Sequence, residues 1–131
     1  MLSRVVIVNG DARVLRECST LMAEGRVAIR SFSNSLDALT SLEAVHADLL
    51  ITGMEFAVGQ PNGVSLAQMV RTIQPQIAVL FTGNANHEDQ AHGLGMFIAM
   101  PAPSSEVVAK AIQILREKYP FTSLLSRLWV A

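Results

Sequence analysis

At 131 residues, half of them hydrophobic and 16% charged, the chain is long enough for one domain with its own core and too apolar for disorder. Ten basic residues against eleven acidic ones, a net charge of −1, leave no clustered excess of Lys and Arg to neutralise phosphates, so no nucleic-acid partner is expected. No apolar stretch reaches the ~18 residues of a membrane span, the opening MLSRVVIV lacks the sections of a signal peptide, and Cys18 alone cannot form an internal disulfide, which together point to the cytoplasm.

Val5 to Val8 is a short, continuous run rich in β-branched residues, the pattern of a strand buried on both faces. Asp11 then caps a helix reaching about Glu24, in which Val14, Leu15, Cys18, Leu21 and Met22 recur at helical spacing. Val27 to Phe32 reads as a second strand. Ser33 to Ser35 supply caps for a helix carrying Leu36, Leu39, Leu42 and Val45. Leu49 to Thr52 is the third strand, and Gly53 ends it. A long loop punctuated by Gly59, Pro61, Asn62 and Gly63 leads into a helix from about Val64 to Ile73, which stops before Pro75. Ile77 to Phe81 is a fourth strand. From about Asn86 to Gly95 the helical pattern is weakest, because an internal glycine costs about 1 kcal/mol relative to alanine; a short or mobile helix is expected there. Met96 to Met100 is a fifth strand, followed by Pro101 and Pro103. A last helix runs from about Ser105 to Lys118, with Val107, Val108, Ala111, Ile112 and Leu115 on its apolar face.

Five buried strands alternating with five helices imply an α/β fold, a doubly wound, five-stranded parallel sheet of flavodoxin-like order 2-1-3-4-5. Its switch point lies between strands one and three, and ligands of such sheets bind beyond the carboxyl ends of the strands there. In this chain those ends are Asn9, Gly10 and Asp11 on one side and Gly53 on the other. Residues 1–119 form the domain, and 120–131 are an apolar C-terminal extension.

The order of these elements, the loop ending in Pro61-Asn62-Gly63, the strand end Phe81-Thr82-Gly83 and the segment Ile98-Ala99-Met100-Pro101 resemble the receiver domain of bacterial two-component response regulators, from Arg4 to about Lys118. The resemblance implies a signalling domain. In that family an acidic pair after strand one holds Mg²⁺, and an aspartate ending strand three accepts a phosphoryl group from a histidine kinase. A Thr or Ser ends strand four, and Lys-Pro ends strand five. Carried over by position, the acidic pair falls on Asn9 and Gly10, the phosphoacceptor on Gly53 and the lysine on Met100. Thr82 matches the hydroxyl, Pro101 the proline and Phe97 the aromatic of strand five. Asp11 stands where many relatives carry a third acid, and the loop after Gly53 is about two residues longer than usual.

Glycine accepts no phosphoryl group, one carboxylate and one amide make a poor Mg²⁺ site, and Met100 brings no cation. Phosphoryl transfer rests on positioning and charge stabilisation, so the expectation is a degenerate pocket, not an enzyme, with neither metal nor cofactor. Thr82 has two readings, a bond to an anion or partner, or a cap on the strand end. Thr52 points to the opposite face by strand alternation and is not a displaced acceptor. Glu55 is read as a solvated loop residue, not a phosphate mimic. His46, His87 and His92 are too scattered for a metal site and read as solvated. Cys18 lies on an apolar stripe and reads as core.

Function is therefore expected through contact with a protein partner of a signalling pathway, by similarity on the face of the fourth helix, fifth strand and fifth helix, with Phe97 as packing or partner surface. Leu124, Leu125, Leu128 and Trp129 of the extension fall on one side of a helix. They are read either as an interface, with a homodimer as the simplest case, or as a stripe that folds back on its own domain. The alternative class is a flavodoxin-like ligand-binding module or enzyme. NGDARVL after strand one lacks G-x-G-x-x-G and a P-loop lysine, which argues against it.

Overall fold

The computed structural model describes residues 3–25 and 27–118. In chain order the elements are β1 (Ser3–Val8), α1 (Ala12–Ala23), β2 (Val27–Phe32), α2 (Ser35–Ala44), β3 (Leu49–Gly53), α3 (Gly63–Ile73), β4 (Ala78–Gly83), a 3₁₀ turn (Ala85–His87), α4 (Glu88–Ala91), β5 (Met96–Ala99) and α5 (Ser104–Lys118). The five strands pair in parallel in the order β2-β1-β3-β4-β5, as the alternation of elements implies.

Alternation along the strands divides the core into two layers. Val6, Val8, Leu50, Val79 and Phe81 pack with Leu42 of α2 and with Leu66 and Val70 of α3. Val5, Ile7, Leu49, Ile51 and Leu80 pack with Cys18 and Met22 of α1 and with Val107 and Leu115 of α5. Strand β3, central in the sheet, is buried along its whole length. Burial pushes the Cys18 thiol above its ordinary range, so this residue is packing and not a poised nucleophile.

The structure departs from the expected elements in a few places. Leu36 is 48% exposed; α2 buries Ser35, Ala38 and Leu42 instead. The cap is Asn34, whose Oδ1 accepts the Asp37 N–H at 2.8 Å, and this register turns Ser35 inward. Val45 lies past α2 in extended backbone. Strand β4 runs on through Thr82 to Gly83, and β5 ends at Ala99, one residue before Met100. The weak fourth helix is indeed short, a 3₁₀ turn followed by four α-helical residues, and Gly93 just beyond it has a φ of 82°.

Helix α5 ends on Lys118, whose ammonium donates to the carbonyls of Asp48 at 3.0 Å and Gln76 at 2.7 Å. This ties the helix to the amino ends of β3 and β4. Burial pushes the lysine below its ordinary range, and the Asp48 charge pulls part of the way back. The folded chain thus releases this proton at a lower pH than the unfolded chain. Between the two values the unfolded chain binds more protons, so the group's contribution to stability rises with pH. Lys118→Met is expected to cost about 1 kcal/mol at neutral pH, the loss of charge-assisted bonds less the desolvation that it relieves. It is also expected to flatten the alkaline rise. Urea midpoints of both chains from neutral to alkaline pH measure the two effects.

Candidate functional site

The carboxyl ends of β1, β3 and β4 meet where the strand order reverses. Gly53 closes β3 and pairs in register with Thr82 of β4. A Cβ built on Gly53 would meet Asn9 Nδ2 at 3.7 Å and the Phe56 ring at 3.8 Å, ordinary van der Waals distances. The backbone there has room for a side chain that the sequence withholds. A Cβ on Gly10 would meet nothing within 4 Å.

The two polar side chains of the β1 end serve the backbone. Asn9 Oδ1 accepts the Asp11 N–H at 2.8 Å, and Asp11 Oδ1 accepts the Arg13 N–H at 2.9 Å. Asp11 is the N-cap of α1, as its place before an apolar-periodic run implies. Magnesium needs a near-octahedral shell of oxygens. Here the side chains of residues 9–11 and 53 offer one amide and one carboxylate, each already accepting a backbone N–H, so they do not fit the ion. Among the described residues no group of three or more His, Cys, Asp or Glu could hold a metal.

Met100 stands past β5, its N–H donating to the Gly83 carbonyl at 2.7 Å. The peptide bond to Pro101 is cis. Met100 packs against the core layer of Val5 and Ile7, an apolar contact at the carboxyl end of β5. Thr82 is 3% exposed, between Gly53 and Ile98 in the ladder. Thr52 is fully buried and its hydroxyl donates to the Gly53 carbonyl at 2.8 Å, a local bond that occupies the group. Phe97 is half-buried against the layer of Phe81, and its ring lies 4.0 Å from a Cβ built on Gly83. Leu124, Leu125, Leu128 and Trp129 lie outside the described residues.

Three features of the mouth escaped the sequence reading. Phe56, partly buried against the core, lies over Gly53; its only signal was an aromatic three residues past a strand end. The long loop is pinned. Ser35 Oγ donates to the Pro61 carbonyl at 2.6 Å, the Ser35 N–H to Gln60 Oε1 at 2.9 Å, and the Gly63 N–H to the Met54 carbonyl at 2.9 Å. His87 is not solvated as expected. The 3₁₀ turn carries its ring to 3.3 Å from Glu55 Oε1, where its side chain is 23% exposed. Glu55 is exposed, as read, and so screened a pair contributes little. His46 is exposed, with Nε2 3.3 Å from the buried Asp48 carboxylate.

No family model matches the chain. Transcription factor SKN7 of Saccharomyces cerevisiae is 23% identical over 121 residues, which cover 88% of this chain and 19% of that protein. The chain thus spans about a fifth of the length of the curated relative that it matches. Among solved structures, a CheY-like response regulator receiver domain protein from Methanospirillum hungatei JF-1 superimposes with a TM-score of 0.78 at 15% identity, over 89% of this chain and 96% of that one. A response regulator receiver protein from Sinorhizobium medicae WSM419 gives 0.76 at 17%, over 88% and 95%. Adenylate cyclase from Rhodopirellula baltica gives 0.81 at 16%, over all of both chains. No described helix is long and apolar enough to cross a membrane. The chain has the fold of response regulator receiver domains.

Proposed function

We propose that this domain works in signal transduction by binding a protein partner, without phosphorylation of its own sheet mouth. The observation that carries this reading is Gly53, at the strand end opposite Thr82, with nothing to accept a phosphoryl group. The engaged oxygens of Asn9 and Asp11 and the apolar packing of Met100 support it from three further sides. A domain of this kind signals through a partner's differential affinity for its conformations. The face of α4, β5 and α5, with Phe97 of β5 as part of it, is the proposed contact, by likeness to receiver domains.

Incubation with a small-molecule phosphodonor and Mg²⁺, followed by intact mass, tests the reading. No adduct is expected, and millimolar Mg²⁺ is expected to leave the melting temperature unchanged, because no self-repelling acidic cluster awaits neutralisation. A gain of about 80 Da, the mass of a phosphoryl group, would overturn it, as would a clear rise in melting temperature with Mg²⁺.

A further inference from the structure

Two asparagines of the chain precede a glycine, Asn9-Gly10 at the mouth of the sheet and Asn62-Gly63 at the start of α3. Asn34, Asn84 and Asn86 precede Ser, Ala and His. Before a glycine, the next backbone nitrogen can reach the side-chain amide carbon, because no Cβ stands in the way. The fold treats the two pairs differently. Gly63 is buried, and its N–H donates to the Met54 carbonyl at 2.9 Å, while Asn62 Oδ1 accepts the Ser65 N–H at 2.8 Å as the cap of α3. The Gly63 nitrogen is neither free nor accessible.

Gly10 is exposed, beside a half-buried Asn9. Its N–H makes no hydrogen bond among the described residues. The Asn9 N–H donates to the Phe32 carbonyl at 3.1 Å, which holds this residue at the end of β2. Asn9 Oδ1 accepts the Asp11 N–H at 2.8 Å. This side-chain turn curls the amide over Gly10 and sets its carbon beside the Gly10 nitrogen. The same donor steadies the negative charge that builds on Oδ1 when that carbon is attacked. Asn9 Nδ2, the leaving nitrogen, makes no hydrogen bond among the described residues and lies 3.7 Å from where a Gly53 Cβ would stand. Its way out is the space that Gly53 leaves open.

We propose that Asn9 is a site of spontaneous deamidation in the folded chain. The Gly10 nitrogen bonds to Asn9 Cγ and gives up its proton, the Cγ–Nδ2 bond breaks, and Nδ2 leaves as ammonia, which closes a succinimide ring. Water then cleaves either of the ring's two carbonyl–nitrogen bonds, and the product is aspartate or isoaspartate. One water is consumed and one ammonia released, with no cofactor. Either product adds one negative charge to a chain of net charge −1, beside the Asp11 carboxylate. Isoaspartate also lengthens the main chain by one carbon just before the Asp11 cap of α1. The mouth thus becomes more acidic as the chain ages, whichever way the domain signals.

Peptide mapping by mass spectrometry, on the native chain held at neutral pH and physiological temperature, follows both pairs at once. A gain of about 1 Da is expected on the peptide that holds Asn9. It should appear at least about tenfold faster than on the peptide that holds Asn62, the equivalent of a barrier lower by ~1.4 kcal/mol. In concentrated urea both pairs are exposed, and the two rates are expected to converge. Gly10→Ala, whose Cβ enters open space, is expected to keep the fold and slow the reaction at Asn9 by about tenfold. Equal rates at Asn9 and Asn62 in the native chain overturn the proposal, since the reaction then runs through the unfolded chain. An Asn9 rate that Gly10→Ala leaves unchanged overturns it too, as does a native chain still amidated at Asn9 when the chain in urea is fully converted.

Discussion

The triple substitution Gly53→Asp, Gly10→Asp and Met100→Lys is expected to gain a mass of about 80 Da from a small phosphodonor with Mg²⁺, where the native chain and Gly53→Asp alone do not. Space permits the changes. A side chain at position 53 starts 3.7 Å from Asn9 Nδ2 and 3.8 Å from the Phe56 ring, and one at position 10 meets nothing within 4 Å. Lysine is unbranched like methionine and one atom longer, and the Met100 N–H bond to Gly83 belongs to the backbone. The acceptor alone is insufficient because phosphoryl transfer is catalysed by positioned charge. With Gly53→Asp only, no cation offsets the developing negative charge, and Asp11 is still engaged with the start of α1. The full set supplies a metal-binding group and an ammonium together. It also introduces repulsion: two carboxylates about 4 Å apart repel by roughly 4 kcal/mol at an effective dielectric of 20. The triple variant should therefore melt lower than the native chain without Mg²⁺ and recover with it. Equal labelling of the single and triple variants would show that missing charge is not what silences the mouth.

Much of that mouth was readable from order and spacing. Strand ends are marked by apolar runs, which puts Asn9, Gly53, Thr82 and Met100 at one end of the sheet. The contacts between them were not readable. By position Asn9 and Asp11 resemble part of a metal site, but Asn9 Oδ1 and Asp11 Oδ1 each accept a backbone N–H at the start of α1. In the same way Ser35 is buried where Leu36 was expected, because the loop before Gly63 supplies acceptors that no local pattern reveals. Phe56 and His87 reached the mouth through loop conformation, which carries no periodicity. Local rules fixed which residues lie at the sheet's end; tertiary partners decided what those residues do there.

Gly63→Ala is expected to destabilise the fold by about 3 kcal/mol, lowering the melting temperature by about 10 °C. A Cβ on this first residue of α3 would run into the Gly53 carbonyl oxygen, with the Gly53 carbonyl carbon and Met54 Cα each at 3.1 Å. All three are backbone atoms, so no side-chain rotation relieves the contact. The neighbouring backbone is held from several sides. Gly53 is in register with Thr82, its carbonyl accepts the Thr52 hydroxyl, and the Gly63 N–H is bonded to the Met54 carbonyl. The end of β3 therefore cannot retreat without breaking the ladder at the centre of the sheet. Gly10→Ala is the matched control: its Cβ enters open space, and a change within about 0.5 kcal/mol is expected. Thermal melts of the two variants beside the native chain make the comparison. If Gly63→Ala melts like Gly10→Ala, the close approach of α3 to the end of β3 is not what fixes the shape of the mouth. The pinned loop through Ser35, Gln60 and Pro61 would then be the element that holds it.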